Sequence, residues 1–235
     1  MSSAPYAFSF FDPDRKLYGM ARSGATILFD DRNPAAHAGG PEIEPAGEGW
    51  RAHLDDRFSL ELAPLLVEVE LGAVTARVCR VTGEVGGRGV ECLGVLAHTH
   101  EAPRWQELDA VRSICALVDE GTALLALAHR PRDAAGHGDE AVRATLISDG
   151  ELLVVEEARI STVYDSGGRQ RSAGLELWVA GEEFSRRGSG QVIAGSSLDL
   201  DEIQVHAAVF RWRLDGREGI GAYELMVRAE PRVAA

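Results

Sequence analysis

The chain has 235 residues, 45% of them hydrophobic, and sets 24 Lys and Arg against 37 Asp and Glu for a formal net charge of -13. That length buries a substantial core, as one large β domain or two smaller ones, and the acidic balance, with no basic stripe interleaved with aromatics, excludes a nucleic-acid partner. The longest apolar stretches, Leu65 to Val69 and Ala123 to Ala128, are too short to span a bilayer, and Met1 to Tyr6 lacks a basic segment followed by an apolar one. A cytoplasmic protein without stable membrane insertion, monomer or homodimer, is expected.

In chain order, an aromatic strand at Phe8 to Phe11 meets an Asp-Pro turn, and a second strand follows. Asp31 to Gly49, with three prolines and four glycines, reads as a long surface loop, a candidate lid over a pocket mouth. Phe58 to Leu62 and Val67 to Leu71 alternate apolar and polar residues, the period of a half-buried strand, as do Gly174 to Val179 and Val205 to Trp212 further on. Turn signals separate such runs at Gly39-Gly40-Pro41, Gly86-Gly87, Asp149-Gly150, Ser166-Gly167-Gly168, Ser196-Ser197 and Asp215-Gly216.

Helical spacing competes only in Trp105 to Val118, where Leu108, Val111, Cys115 and Val118 would share a face. The strand reading is preferred there: Ala110 to Val118, a turn at Glu120-Gly121, then Ala123 to Ala128. The polar, proline-punctuated segment His129 to Glu140 is the expected boundary between a first unit, 1–130, and a second, 131–235. With no strand-helix-strand alternation, the fold class is all-β: two consecutive antiparallel barrel or sandwich units with little helix. Cys79, Cys92 and Cys115 sit in or beside apolar runs and read as small core residues.

The opening Phe8-Ser9-Phe10-Phe11-Asp12-Pro13 resembles the start of two-domain lipocalin-like proteins related to carotenoid 1,2-hydratases. The closing Phe210-Arg211-Trp212 strand, the Asp215-Gly216-Arg217 turn and Gly219-Ile220-Gly221-Ala222-Tyr223-Glu224 are similar to the end of that group. Arg104-Trp105-Gln106 and Arg130 to Asp139 stand where such proteins carry an aromatic-Glu-Gln strand and an Arg-Asp-His-Ser-Trp-Gly loop. Here Arg132-Asp133 continues as Ala134-Ala135-Gly136-His137, a departure in the residues that would carry hydratase chemistry. The group includes cofactor-free hydratases and pericyclic cyclases acting on isoprenoid or polyketide substrates. The resemblance therefore implies lipocalin-like units and an apolar small-molecule substrate, with no cofactor.

His98 and His100 fall on one strand face about 7 Å apart, a spacing open to an acid/base role, to a metal pair lacking a third ligand, or to plain strand-end residues. No metal is expected. His129, Arg130, Arg132, Asp133 and His137 would face a shared crevice if the halves meet there, or form a solvated linker. Trp105, Trp178, Trp212 and Tyr223 are candidate cavity walls or ordinary core. Glu224, if inward and paired with Arg217 or Arg171, would be an acid of raised pKa; otherwise it ties a hairpin to its neighbour. The expected catalytic set is thus His98, Arg132, His137 and Glu224, and the expected substrate-binding set Trp105, His129, Trp178, Trp212 and Tyr223. A cofactor-independent cyclase or hydratase is the first functional expectation. A carrier of a lipophilic metabolite is the second, and a module that pairs through exposed strand edges the third.

Overall fold

The computed structural model describes residues 6–136, 139–200 and 202–228. Ten strands form a first antiparallel sheet: β1 (Tyr6–Asp12), β2 (Leu17–Arg22), β3 (Ala25–Asp30), β4 (Asn33–Ala38), β5 (Glu42–Ala46), β6 (Gly49–Leu54), β7 (Phe58–Pro64), β8 (Val69–Glu70), β9 (Val74–Val85) and β10 (Arg88–Thr99). Its order is β4-β3-β2-β1-β10-β9-β7-β6-β5, with β8 on β9. Eight more strands close a barrel in sequence order: β11 (Leu108–Asp119), β12 (Thr122–Pro131), β13 (Ala141–Ser148), β14 (Glu151–Tyr164), β15 (Gln170–Val179), β16 (Arg186–Leu200), β17 (Ile203–Leu214) and β18 (Arg217–Arg228). Closure comes from β11 pairing with β18, Ala110 opposite Val227 through Leu117 opposite Ile220.

The all-β expectation holds, and β11 and β12 settle the helix-or-strand ambiguity in favour of strands around the turn at Glu120-Gly121. The division between units does not fall at 130/131. The first sheet ends at Thr99 and the barrel begins at Leu108, so within His129 to Glu140 the first three residues end β12 and the rest leads to β13 of the same barrel. Asp31 to Gly49 is not a loop either. It supplies β4 and β5, the two edges of the first sheet, where Pro34 and Pro45 are tolerated. Only Gly39, Gly40 and Pro41 separate these edges in sequence. Four backbone steps span at most about 13 Å, so the sheet curls until its edges nearly meet.

Three hairpins turn on residues with positive φ at both centres: Gly86-Gly87 (57° and 76°), Asp149-Gly150 (52° and 83°) and Asp215-Gly216 (46° and 84°). This is the geometry whose twist matches antiparallel strands. Ser196-Ser197 is no turn but part of β16, which bulges between Val192 and Ala194 and so reverses its faces. Each unit also places an aromatic ring over a cross-strand glycine. Phe10 faces Gly19, and Trp212 faces Gly190. A methyl group at Gly19 would stand 2.2 Å from the Phe10 ring, and one at Gly190 2.6 Å from the Trp212 ring.

The barrel lumen is filled by Phe210, Trp212, Tyr223, Ile114, Leu124 and their neighbours, and the concave side of the first sheet by Phe8, Phe10, Leu60, Leu62 and Val81. Between the units lies a third core. Phe11, Tyr18, Met20, Ile27 and Phe29 pack on the outward residues Val111, Cys115, Leu117, Leu125 and Val209 of the barrel. Gly19→Ala should cost about 1–3 kcal/mol by forcing the Phe10 ring aside. Urea unfolding of Gly19→Ala, Phe10→Leu and the double variant should show the pair costing less than the sum of the singles; strict additivity would mean that the ring does not lie over Gly19.

Candidate functional site

The residues expected to act together are dispersed. His98 lies on β10, half-buried, stacked on Tyr6 at 4.5 Å between ring centroids and edge-on to His100 at 4.4 Å. His100 Nε2 is 3.1 Å from Thr75 Oγ1, and among the described residues no group of three metal-ligating side chains converges. Arg132 is exposed in the β12–β13 connection, where its backbone N–H donates to Glu107 O. His137 lies outside the described residues. Glu224 points out of the barrel, because β18 turns Tyr223 and Leu225 inward; its Oε2 accepts from Arg22 Nη2 at 2.5 Å across the seam between units. Neither Arg217 nor Arg171 is its partner.

Trp105 packs against the seam, His129 is half-buried, and Trp178 lies outside the barrel beneath the Arg159 guanidinium at 4.8 Å. Only Trp212 and Tyr223 share an interior, and both are fully buried core. Burial pushes the thiols of Cys79, Cys92 and Cys115 up to about 11, about 12 and about 12, which makes them inert core groups.

The seam brings other residues together. Two adjoining hollows of about 430 and 320 Å³ open between the β2 and β3 ends of the first sheet and the outer face of β16, β17 and β18. Their apolar walls are Leu117, Val118, Ile193 and Ile220, and Leu117, Ile220 and Arg211 form one cross-strand row. Over this floor stand Tyr18, Lys16, Asp31, Arg32, Arg211 and Glu218. Lys16 and Asp31 face each other at two turns, with Asp31 N–H donating to Lys16 O at 2.8 Å and the side chains 3.7 Å apart. Arg32 and Arg211 form no ion pair among the described residues. Tyr18 is 4% exposed; burial, then the Asp31 carboxylate, push its phenol above the usual range, while Arg211 opposes this. The phenol thus stays protonated as a hydrogen-bond donor. None of these residues was singled out in the sequence, because they come from four distant segments with no shared spacing.

A second polar group lies inside the barrel, at the end where β11, β13, β15 and β17 begin. Arg112 Nε stands 3.1 Å from Glu140 Oε1, with side-chain exposures of 2% and 3%. The separation makes an ion pair, although the angle makes no hydrogen bond. Across the lumen, the Tyr223 hydroxyl and Thr162 Oγ1 are 2.7 Å apart. Above them, His206 Nδ1 meets Ser197 Oγ at 2.7 Å, and Gln170 Nε2 donates to the carbonyls of His206 and Tyr223. Arg112 is the charged interruption of the apolar run Ala110 to Val118, a signal present in the sequence but passed over.

His206 and His129 are both held below the usual histidine range, chiefly by burial, which penalises the charged ring. Each favours its neutral form when folded, so its contribution to stability is present above the unfolded pKa of about 6.5 and is lost as pH falls below it. Urea midpoints taken from about pH 7 down to about pH 5 should fall less steeply for His206→Gln than for the parent chain. An unchanged slope would show that His206 titrates alike in both states.

No family model matches the chain, and no curated protein matches it. Solved structures do. The crystal structure of a "putative AttH" from Nitrosomonas europaea is similar with a TM-score of 0.66 at 11% identity, covering 97% of this chain and 94% of that one. The crystal structure of CghA is similar with a TM-score of 0.59 at 11% identity, covering 97% and 89%. At such identity the likeness shows the fold alone: the same two consecutive β units over nearly the whole of each chain.

Proposed function

We propose that the chain is a cofactor-independent enzyme of cyclase or hydratase type, whose apolar, oxygen-bearing substrate, isoprenoid or polyketide-like, lies in the seam crevice. One observation carries the reading: a neutral phenol and two guanidiniums that form no ion pair among the described residues stand over an apolar floor in hollows of ligand size. A carrier of a purely lipophilic metabolite would need neither cations nor an acid in its lining.

The floor of Leu117, Val118, Ile193 and Ile220 selects a folded conformer of a flexible chain and brings its reacting ends together, which supplies rate by positioning. Tyr18 donates to an oxygen of the substrate, and Arg211 and Arg32 stabilise negative charge that develops on that oxygen as bonds reorganise. A phenol held above its usual pKa is a poor proton source for an alkene. Polarisation by Tyr18 therefore favours cyclisation, and hydration would instead require Glu218 or Asp31 as the acid.

The test is incubation of the protein with an organic extract of its host's metabolites, followed by mass spectrometry. The expected result is one metabolite consumed and replaced by an isomer, or by a product heavier by one water. Tyr18→Phe and Arg211→Gln should each slow that conversion by about 10²-fold while leaving the unfolding midpoint nearly unchanged. If no metabolite is converted, or if both variants convert it at the parental rate, the reading is wrong.

A further inference from the structure

The seam crevice carries a charge opposite in sign to that of the chain. Against a net charge of -13, its two hollows are lined by four cations, Lys16, Arg32, Arg211 and Arg213, and by two carboxylates, Asp31 and Glu218. Each carboxylate has a cation beside it. Asp31 Oδ1 lies 3.7 Å from Lys16 Nζ, and Glu218 stands directly opposite Arg213 in the register of β17 with β18, where unlike charges offset one another. The charges left over are Arg32 and Arg211, which form no ion pair or side-chain hydrogen bond among the described residues. A cationic cleft in an acidic protein concentrates anions that the rest of the surface repels.

These two guanidiniums mark one place. Arg32 and Arg211 each line both hollows, so they stand at the junction between a space of about 430 Å³ and one of about 320 Å³. Arg32 reaches it from the β3–β4 turn, which is tied to the β1–β2 turn by the bond from Asp31 N–H to Lys16 O at 2.8 Å. Arg211 reaches it from β17. From Arg211 the cross-strand row runs through Ile220 to Leu117, two strand spacings or about 10 Å of apolar floor. On the other side Gln191 pairs with Arg211, and Val192 and Ile193 wall the second hollow. A molecule that fits this crevice has its anionic group at the junction and apolar carbon on either side.

We propose that the substrate of the seam crevice is an organic acid ionised at neutral pH, a carboxylate or an acidic enol, whose anionic oxygens are held between Arg32 and Arg211 while apolar carbon extends into both hollows. This rests on the seam crevice being the substrate site and specifies its oxygen function. The negative charge is present before any bond reorganises, so the two guanidiniums anchor the substrate, and Tyr18 lines the same hollow as a further donor. A neutral alcohol or hydrocarbon of the same shape is disfavoured, because seating it takes water from two cations and gives them no acceptor in return.

Fluorescence titration with 8-anilinonaphthalene-1-sulfonate and with N-phenyl-1-naphthylamine, the same skeleton without the sulfonate, tests this. Arg32→Gln/Arg211→Gln should weaken the sulfonate at least about tenfold and leave the naphthylamine within about twofold. Both side chains are exposed, and retained naphthylamine binding shows that the crevice is still formed. Arg51→Gln, which removes a cation from β6 outside the crevice, should leave both probes within about twofold. Equal weakening of both probes in the double variant, an unaffected sulfonate, an equal loss in Arg51→Gln, or a parent chain that binds neither probe overturns the proposal. Turnover separates this from the enzymatic reading. A metabolite converted at the seam that passes from alkaline water into organic solvent is neutral, which overturns the acid and leaves the enzyme standing. No conversion, with the two probes responding as expected, overturns the enzyme and leaves the acid site standing.

Discussion

The structure depends on strands that are buried on both faces. The barrel closes around its own core, and its outer wall along β11, β12, β17 and β18 is also the floor on which the first sheet packs. A strand in that wall has no solvated side. In β12 every residue from Thr122 to Ala128 is buried, with Leu124, Ala126 and Ala128 facing the lumen and Ala123, Leu125 and Leu127 facing the first sheet. Such a strand reads as an unbroken apolar run, and each fully buried leucine contributes about 1.5–3 kcal/mol. Small residues recur there because two cores must fit against one backbone layer.

Two-sided burial also dictates where polar chemistry is possible. The middle of β12 is closed to charge, Glu224 in β18 is tolerated through its ion pair with Arg22, and the other polar groups of the wall gather toward the strand ends. One end opens onto the seam, where Tyr18, Arg32 and Arg211 meet Leu117 and Ile220. The other holds Arg112, Glu140 and the Tyr223–Thr162 contact. Arg112 and Leu117 are five residues apart on β11, about 17 Å along a strand. The lumen between is filled by Phe210, Trp212 and their neighbours, so the two groups are chemically independent.

Much of the fold was legible in the sequence. Glycine-bearing hairpin turns such as Asp149-Gly150 and Asp215-Gly216 announce themselves because only particular residues tolerate positive φ at both centres. The alternation in β7, β15 and β17 marks strands directly. What failed did so for physical reasons. Proline and glycine in Asp31 to Gly49 suggested a loop, yet edge strands accept proline because one side of the ladder is unpaired. The polar segment His129 to Glu140 reports exposure of a connection, which says nothing of which sheet its flanking strands join. Glu224 was unreadable because both faces of β18 pack, so alternation does not distinguish lumen from seam. The seam residues come together only through the docking of two sheets, a contact that leaves no local pattern.

On the proposed reading the seam crevice holds an apolar molecule bearing an oxygen function. Native mass spectrometry of the protein purified from its own host, followed by extraction of what it carries, tests this most directly. One such molecule per chain is expected, absent from protein in which Arg211 and Tyr18 are both replaced. A parent chain that is uniformly empty, or one whose bound molecule persists when both residues are replaced, would contradict it.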